Sequence, residues 1–166
     1  TMIIDGSYFT GLLSLGIIWD IDDDSITRKA ERDNLQSYID LYERKFLRMV
    51  LGKSMSREFI EYLLSGKNDV DKWEKLKEKL SRKEYSPIAN YVYFHYVRRC
   101  GVVQTPVGTV YASDDKKADP NPLLISAWNN MVQMNEDLYD FLESDKEYDG
   151  FVFNTTMLEL INGLGI

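Results

Sequence analysis

The chain has 166 residues, 44% of them hydrophobic and 13% aromatic, a composition that excludes an intrinsically disordered protein. This length suits one ordinary domain, which can bury a core without a metal or disulfide staple. The single cysteine excludes an internal disulfide and leaves the redox compartment open, while the single histidine, His95, excludes a histidine-rich metal site. No apolar run reaches the roughly 18 residues of a membrane span, so we expect no membrane association.

The formal net charge of −7 argues against a general nucleic-acid coat, but the charge is distributed unevenly. Residues 1–24 carry five acids and no base, residues 25–112 carry 17 bases and 11 acids, and residues 113–166 carry 3 bases and 11 acids. Solvated helix faces are one interpretation of this pattern. The other is head-to-tail association, in which the acidic C-terminal part of one copy meets the basic middle of the next.

Ser7 predicts a short helix through Leu13, and the long helical pattern from Ile26 to Leu51 follows the acidic run Asp20–Asp24. Gly52 then provides a stop signal. Apolar residues recur at three- and four-residue steps and form one stripe: Leu35, Ile39, Tyr42, Phe46, Met49 and Val50. Leu41, Leu47 and Leu51 lie off this stripe. The end of the helix is therefore predicted to lie deep in the core or to dock on a partner, which makes Leu47 and Leu51 interface candidates.

Three further helices are predicted between Ser56 and about Arg99. One spans about Ser56–Ser65, and the next is capped by Asn68 or Asp69 and carries Trp73, Leu76 and Leu80 on its apolar face. Ser86-Pro87 is a strong start signal for the third, which extends to about Arg99. Its apolar residues occur on all sides, so we expect a central helix with neighbours all round.

Residues 102–111 change to strand composition, and Pro106 and Gly108 suit a β-hairpin with a bulge. An isolated two-stranded hairpin is marginally stable in water, so this ribbon needs support from its own domain or another chain. Its candidate interface residues are Val102, Val103, Pro106, Val107, Val110 and Tyr111. Residues 113–119 are predicted to form a polar loop.

Asn121-Pro122 opens a last long helix to about Ser144, followed by an extended piece at Phe151–Phe153. Thr156–Glu159 has the spacing of a capping box for a final short helix. The predicted fold is therefore mainly α, a helical bundle of about five to six helices with one inserted β-hairpin. We expect a single domain over residues 1–166, with a C-terminal tail at 145–166.

An acidic stretch could bind a metal ion, because its carboxylates have the spacing of positions 1, 3, 5 and 12 of a calcium loop. These weak candidates are Asp20, Asp22, Asp24 and Glu31. Ser25 replaces the glycine of the sharp turn, and Arg28 places a cation at position 9. Acids that precede a helix are also explained by its dipole, so we expect no metal and no cofactor.

Few residues suggest catalysis. His95 and Cys100 are five positions apart on one helix, about 140° around its axis, and cannot meet. His95 is better explained as a satisfied core or interface histidine. Arg98 and Arg99 could contact a nucleic-acid backbone, but the helix dipole already explains cations in a last turn, and they remain interface candidates. No catalytic residue is predicted.

Three packing motifs occur in a familiar order. Asp40–Gly52 resembles the "YE..FL...LG" helix end of small head–tail connector proteins of tailed phages and prophages. Ser86–Phe94, a Gly/Val hairpin and the sequence Ala127–Met131 follow in the same succession. The resemblance covers about residues 28–145 and rests on packing residues without invariant chemistry.

The resemblance implies a non-enzymatic, mainly helical virion protein. Such proteins form a ring at the virion neck that bridges the portal to the tail, with DNA only passing through its channel. Before assembly they reside in the host cytoplasm, and isolated copies can be monomers until they bind the portal. The inserted hairpin, residues 102–111 here, would reach the portal or a neighbouring subunit.

Two other functions are open on the sequence. The chain could be a helical binding module that regulates a host or phage protein. A metal-dependent or hydrolytic enzyme would instead require calcium binding at Asp20–Glu31 or an activity that depends on His95.

Overall fold

The computed structural model describes residues 2–15, 26–100, 102–105, 108–111 and 122–162, with the backbone alone for Cys100 and the strand residues. The described chain is mainly helical, as predicted. The four α-helices are α1 (Ile26–Ser65), α2 (Asp71–Leu80), α3 (Pro87–Cys100) and α4 (Pro122–Ser144). Strands β1 (Val102–Thr105) and β2 (Gly108–Tyr111) pair antiparallel, with Val102 opposite Tyr111 and Thr105 opposite Gly108.

The predicted count of five to six helices is wrong, because the described residues form four. The two helices expected over 26–51 and 56–65 form one element with a kink at Gly52, whose φ of +77° and ψ of 176° are not helical, so the predicted stop at this glycine is confirmed. The short helices expected near the two ends are turns of 3-10 helix. These are Gly6–Tyr8, Gly11–Leu13, Lys146–Tyr148 and Thr155–Leu158.

The start signal at Ser86-Pro87 is confirmed. Pro87 is the first residue of α3, and the hydroxyl of Ser86 accepts the backbone N–H of Ala89 at 3.2 Å. This bond satisfies one of the amides that the first helical turn leaves without a partner.

Other predicted caps were placed one or two residues from the actual ones. α2 begins after Val70, which makes no side-chain cap, instead of after Asn68 or Asp69. The first turn near the N-terminus is capped by Asp5, whose carboxylate accepts the Ser7 N–H at 2.8 Å. Any Asp, Asn or Ser side chain near a turn can accept such a bond, so the sequence alone does not choose among them.

α3 is the central helix, as its all-round apolar pattern predicts. It is buried along nearly its whole length at Ile88, Ala89, Asn90, Tyr91, Val92, Tyr93, Phe94, Tyr96 and Val97. α4 packs along one side of α3 and the first part of α1 along another. The hydrogen bond between Tyr85 and Asp137 and the ring contact between Phe94 and Trp128 show that α3 and α4 are antiparallel.

The apolar stripe of α1 packs into this core, with Leu35, Ile39, Phe46 and Val50 fully buried. No described helix is long and apolar enough to cross a membrane.

Candidate interaction surface

Two of the predicted interface residues belong to the core. Leu47 and Leu51 are 0% and 1% exposed, so they are removed from the candidate surface, and burial within the chain explains their apolar character. Leu41, the third off-stripe leucine, remains 46% exposed. The buried face of α1 is therefore wider than one stripe, because α3 and the N-terminal turns both pack against this helix.

The other predicted interface residues lie at one end of α3. Arg98 and Arg99 are exposed in its last turn, directly before β1. Val102, Val103, Val110 and Tyr111 lie on the two strands and form the cross-strand pairs Val102–Tyr111 and Val103–Val110. Pro106 and Val107 lie outside the described residues.

The predicted metal ligands are not brought together in the described structure. Asp20, Asp22 and Asp24 lie outside the described residues, and Glu31 is exposed on the first turns of α1. Among the residues that are described, no group of three or more acids, histidines and cysteines could hold a metal ion.

His95 lies between aromatic rings on α1 and α3. Its ring stacks on Tyr42 with 4.3 Å between centroids and meets Tyr91 edge to face at 4.5 Å. The prediction of a satisfied histidine is wrong, because its Nε2 is buried without a hydrogen-bond partner among the described residues.

The surroundings of His95 are electropositive. Burial, followed by the charges of Arg98 and Lys45, lowers the pKa of His95 from 6.5 to about 4. The Lys45 ammonium lies 4.8 Å from the centroid of Tyr42, and the Arg98 guanidinium lies 5.9 Å from that of Phe94. His95 is therefore neutral at pH 7, and the positive charge here comes from the lysine and the arginine.

A pocket of about 360 Å³ opens beside this cluster at the kink of α1, and we call it the basic pocket. Its floor is apolar and its two charged groups, Lys45 and Arg48, are both cations on an exposed face of α1. Neither makes a salt bridge with a described residue. The residues that line it are Lys45, Arg48, Met49, Gly52, Tyr91, Val152 and Asn154.

The kink itself is closed by the segment after α4. The backbone N–H groups of Val152 and Asn154 donate to the carbonyl oxygens of Leu51 and Met49, at 3.2 and 2.8 Å. A kink leaves such carbonyls without their intrahelical partners, so the segment acts as a backbone cap. A Cβ on Gly52 would come within 2.9 Å of Cβ of Val152, which explains glycine here beyond its positive φ.

The C-terminal half of α4 is acidic. Glu136, Asp140 and Glu143 are exposed and follow one another at spacings of four and three residues, so they share one face of the helix. None makes a salt bridge within the described part of the chain. We call these three residues the acidic face.

Three side chains of α4 hold the C-terminal segment against the helix. The Asn129 amide donates to the carbonyl of Ile161 at 3.0 Å and accepts its N–H at 2.9 Å, as a neighbouring strand would. Trp128 donates to the carbonyl of Glu159 at 2.8 Å, and Asn135 to that of Met157 at 2.9 Å. Trp128 and Asn129, part of the resemblance motif, therefore act in part as a clamp.

A second clamp, at Glu43, holds the N-terminal segment. The buried carboxylate accepts the backbone N–H groups of Met2, Ile3 and Ile4 at 3.2, 2.7 and 3.0 Å. Burial raises the pKa of Glu43, and the three amides partly offset this effect. The sequence contained a signal for this role, because Glu43 lies one helical turn after Ile39 and one before Leu47, both fully buried.

Comparison with family models, curated proteins and solved structures finds no match to the chain. The resemblance to connector proteins therefore remains a prediction.

Proposed function

We propose that the chain is a non-enzymatic structural protein, a phage head–tail connector that forms a ring between portal and tail. The packing motifs that carry the resemblance support this proposal by their positions in the fold. Tyr42 and Phe46 of the first motif are buried and contact Tyr91 of α3, and Trp128 of the last motif contacts Phe94 of α3 at 4.9 Å.

The observation that carries the proposal is a two-stranded sheet at the end of the central helix. β1 follows α3 after one residue, and β1 and β2 form a sheet to which no other described strand is added. Such a ribbon is marginally stable in water, and its outer edges offer backbone groups to another chain. The exposed Arg98 and Arg99 add positive charge at its base.

In this function the partners are other copies of the chain, the portal protein and tail proteins. The ribbon would contact the portal or a neighbouring subunit, DNA would only pass through the ring, and no membrane or cofactor takes part. The protein would reside in the virion neck after assembly in the host cytoplasm.

Copurification with a candidate portal protein, encoded beside this gene, tests the proposal. We expect the full chain to bind the portal, and the double substitution R98E/R99E to weaken that binding several-fold. The matched control R57E/K67E reverses two exposed bases elsewhere and should bind as the wild type does. The proposal would be overturned if the chain does not bind portal protein and the neighbouring genes encode no capsid or tail protein. Capture of a host protein instead would favour the regulatory binding module.

A further inference from the structure

The basic pocket and the acidic face lie on different helices of the fold. Lys45 and Arg48 are on α1, whereas Glu136, Asp140 and Glu143 are on α4. The C-terminal segment lies between the two helices, because Phe151 and Phe153 contact the ring of Tyr139 at 5.5 Å while Val152 lines the pocket.

Both charged sites are exposed to solvent and therefore available to another molecule. Lys45 and Arg48 make no salt bridge with a described residue, and neither do Glu136 and Asp140.

We propose that the basic pocket of one copy binds the acidic face of a second copy, so that Lys45 and Arg48 pair with Glu136, Asp140 and Glu143. The carboxylates recur along one face of a helix, and the cations lie along another, three residues apart. The exposed side chain of Val152 at the pocket supplies apolar surface between the charges.

Charge complementarity favours a second copy over a nucleic acid as the occupant. The whole chain carries a net charge of −7, which repels a polyanion at long range, while the pocket contains only two cations. The acidic face supplies three opposite charges on the same protein, one more than the two cations of the pocket.

A contact of this kind is heterologous, since the two surfaces differ and a pair of copies keeps one free surface of each type. Repetition of the contact gives a ring where the rotation closes. The inference thus rests on the proposed connector function for its biological setting, although the contact itself can be tested without the portal.

Sedimentation velocity of the full-length chain over a range of concentrations and ionic strengths tests this contact. We expect the wild type to associate at low salt and to dissociate as salt rises. The variants K45E/R48E and E136K/D140K should each remain monomeric. An equimolar mixture of the two should associate again, because their reversed charges are complementary. R57E/K67E, with the same change in net charge as K45E/R48E, should associate as the wild type does.

A wild type that is monomeric at low salt up to its solubility limit would overturn the inference, as would association that persists in both reversed variants. Circular dichroism melting confirms that each variant is folded before it is compared. Portal binding is measured separately on the same variants. Absence of self-association by the wild type with portal binding intact overturns this inference alone, whereas intact self-association without portal binding overturns the proposed function.

Discussion

The helical core and the two terminal segments both bury apolar side chains, but they differ in how their backbone is held. α1, α3 and α4 make their own helical hydrogen bonds, whereas residues 2–4 and 151–161 lie against them without regular α-helix or sheet. Besides the burial of Ile4 and Met157, side chains of the helices bond to the backbone of these segments, chiefly Glu43 and Asn129. A polar residue on a helix of this protein can thus serve as the anchor of a distant, irregular segment.

The largest expected effect lies in the core. Leu47→Ala should lower the free energy of unfolding by about 2–5 kcal/mol, because it removes a fully buried side chain and leaves a cavity. Leu41→Ala, six residues earlier and 46% exposed, should change it by less than about 1 kcal/mol. Urea denaturation measures both. Equal effects would contradict the assignment of Leu47 to the core and return it to the candidate interface.

The next largest effect is expected at Glu43, the clamp of the N-terminal segment. Glu43→Ala should cost about 2–3 kcal/mol, since three backbone N–H groups lose a charged acceptor. Hydrogen exchange should show faster exchange at Ile3 and Ile4, with the amides of α3 little affected under native conditions. Glu61→Ala, an exposed acid on the same helix, serves as control. An unchanged exchange rate at Ile3 would mean that the clamp does not hold the segment.

The kink at Gly52 is the place where the helical core meets the C-terminal segment. Gly52→Ala places a side chain at a φ of +77° and against Val152, and should cost about 2 kcal/mol. Gly66→Ala has a similar φ of +67° but nothing within 4 Å of its new Cβ, and should cost about 1 kcal/mol. Thermal denaturation of the two variants separates backbone strain from the collision with Val152. The same cost in both would show that the C-terminal segment moves aside freely.

The C-terminal clamp should have a local effect. Asn129→Ala removes both hydrogen bonds to Ile161 and should cost about 1 kcal/mol. Limited proteolysis should then cut the last residues faster than in the wild type. Asn130→Ala changes the next residue, for which the described structure gives no hydrogen bond, and should leave the cleavage rate unchanged.

The smallest expected effect is a pH dependence at His95. Its pKa falls from 6.5 to about 4 on folding, so the fold favours the neutral ring. The stability from this preference is fully present above pH 6.5 and is lost as the pH falls toward 4. Solvent screening at this partly exposed ring limits the loss to about 1 kcal/mol. His95→Phe keeps an aromatic ring without a titrating group.

Urea denaturation at pH 7.5 and pH 5 measures the difference between wild type and His95→Phe at each pH. We expect the wild type to lose more stability than the variant on acidification. The same loss in both would show that protonation of His95 is not linked to folding.

Much of the core could be predicted, because burial leaves a periodic pattern in the sequence. The stripe of α1, the Ser86-Pro87 start and the all-round burial of α3 are all local signals, and the structure confirms them. Leu47 could not be assigned in this way. An apolar residue off the main stripe can face the protein's own core or a partner, and only the positions of the neighbouring helices decide between them.

The candidate site was less predictable. Arg98 and Arg99 are exposed at the base of the ribbon, but Lys45 and Arg48 were not predicted to bind anything, because their pocket forms only where residues 152–154 meet the kink of α1. These contacts join residues about a hundred positions apart. Periodicity and capping rules act over a few residues and contain no information about such pairs.

The sequence by itself determined the mainly helical class, the principal helix starts and the division of charge between the middle and the ends of the chain. Each of these follows from the properties of neighbouring residues or from counting. The tertiary structure alone decided that Asn129 is an anchor, that Nε2 of His95 is buried without a hydrogen-bond partner among the described residues, and that a pocket forms where residues 152–154 meet the kink of α1. These facts depend on which distant segments pack together, and packing is set by the whole chain at once.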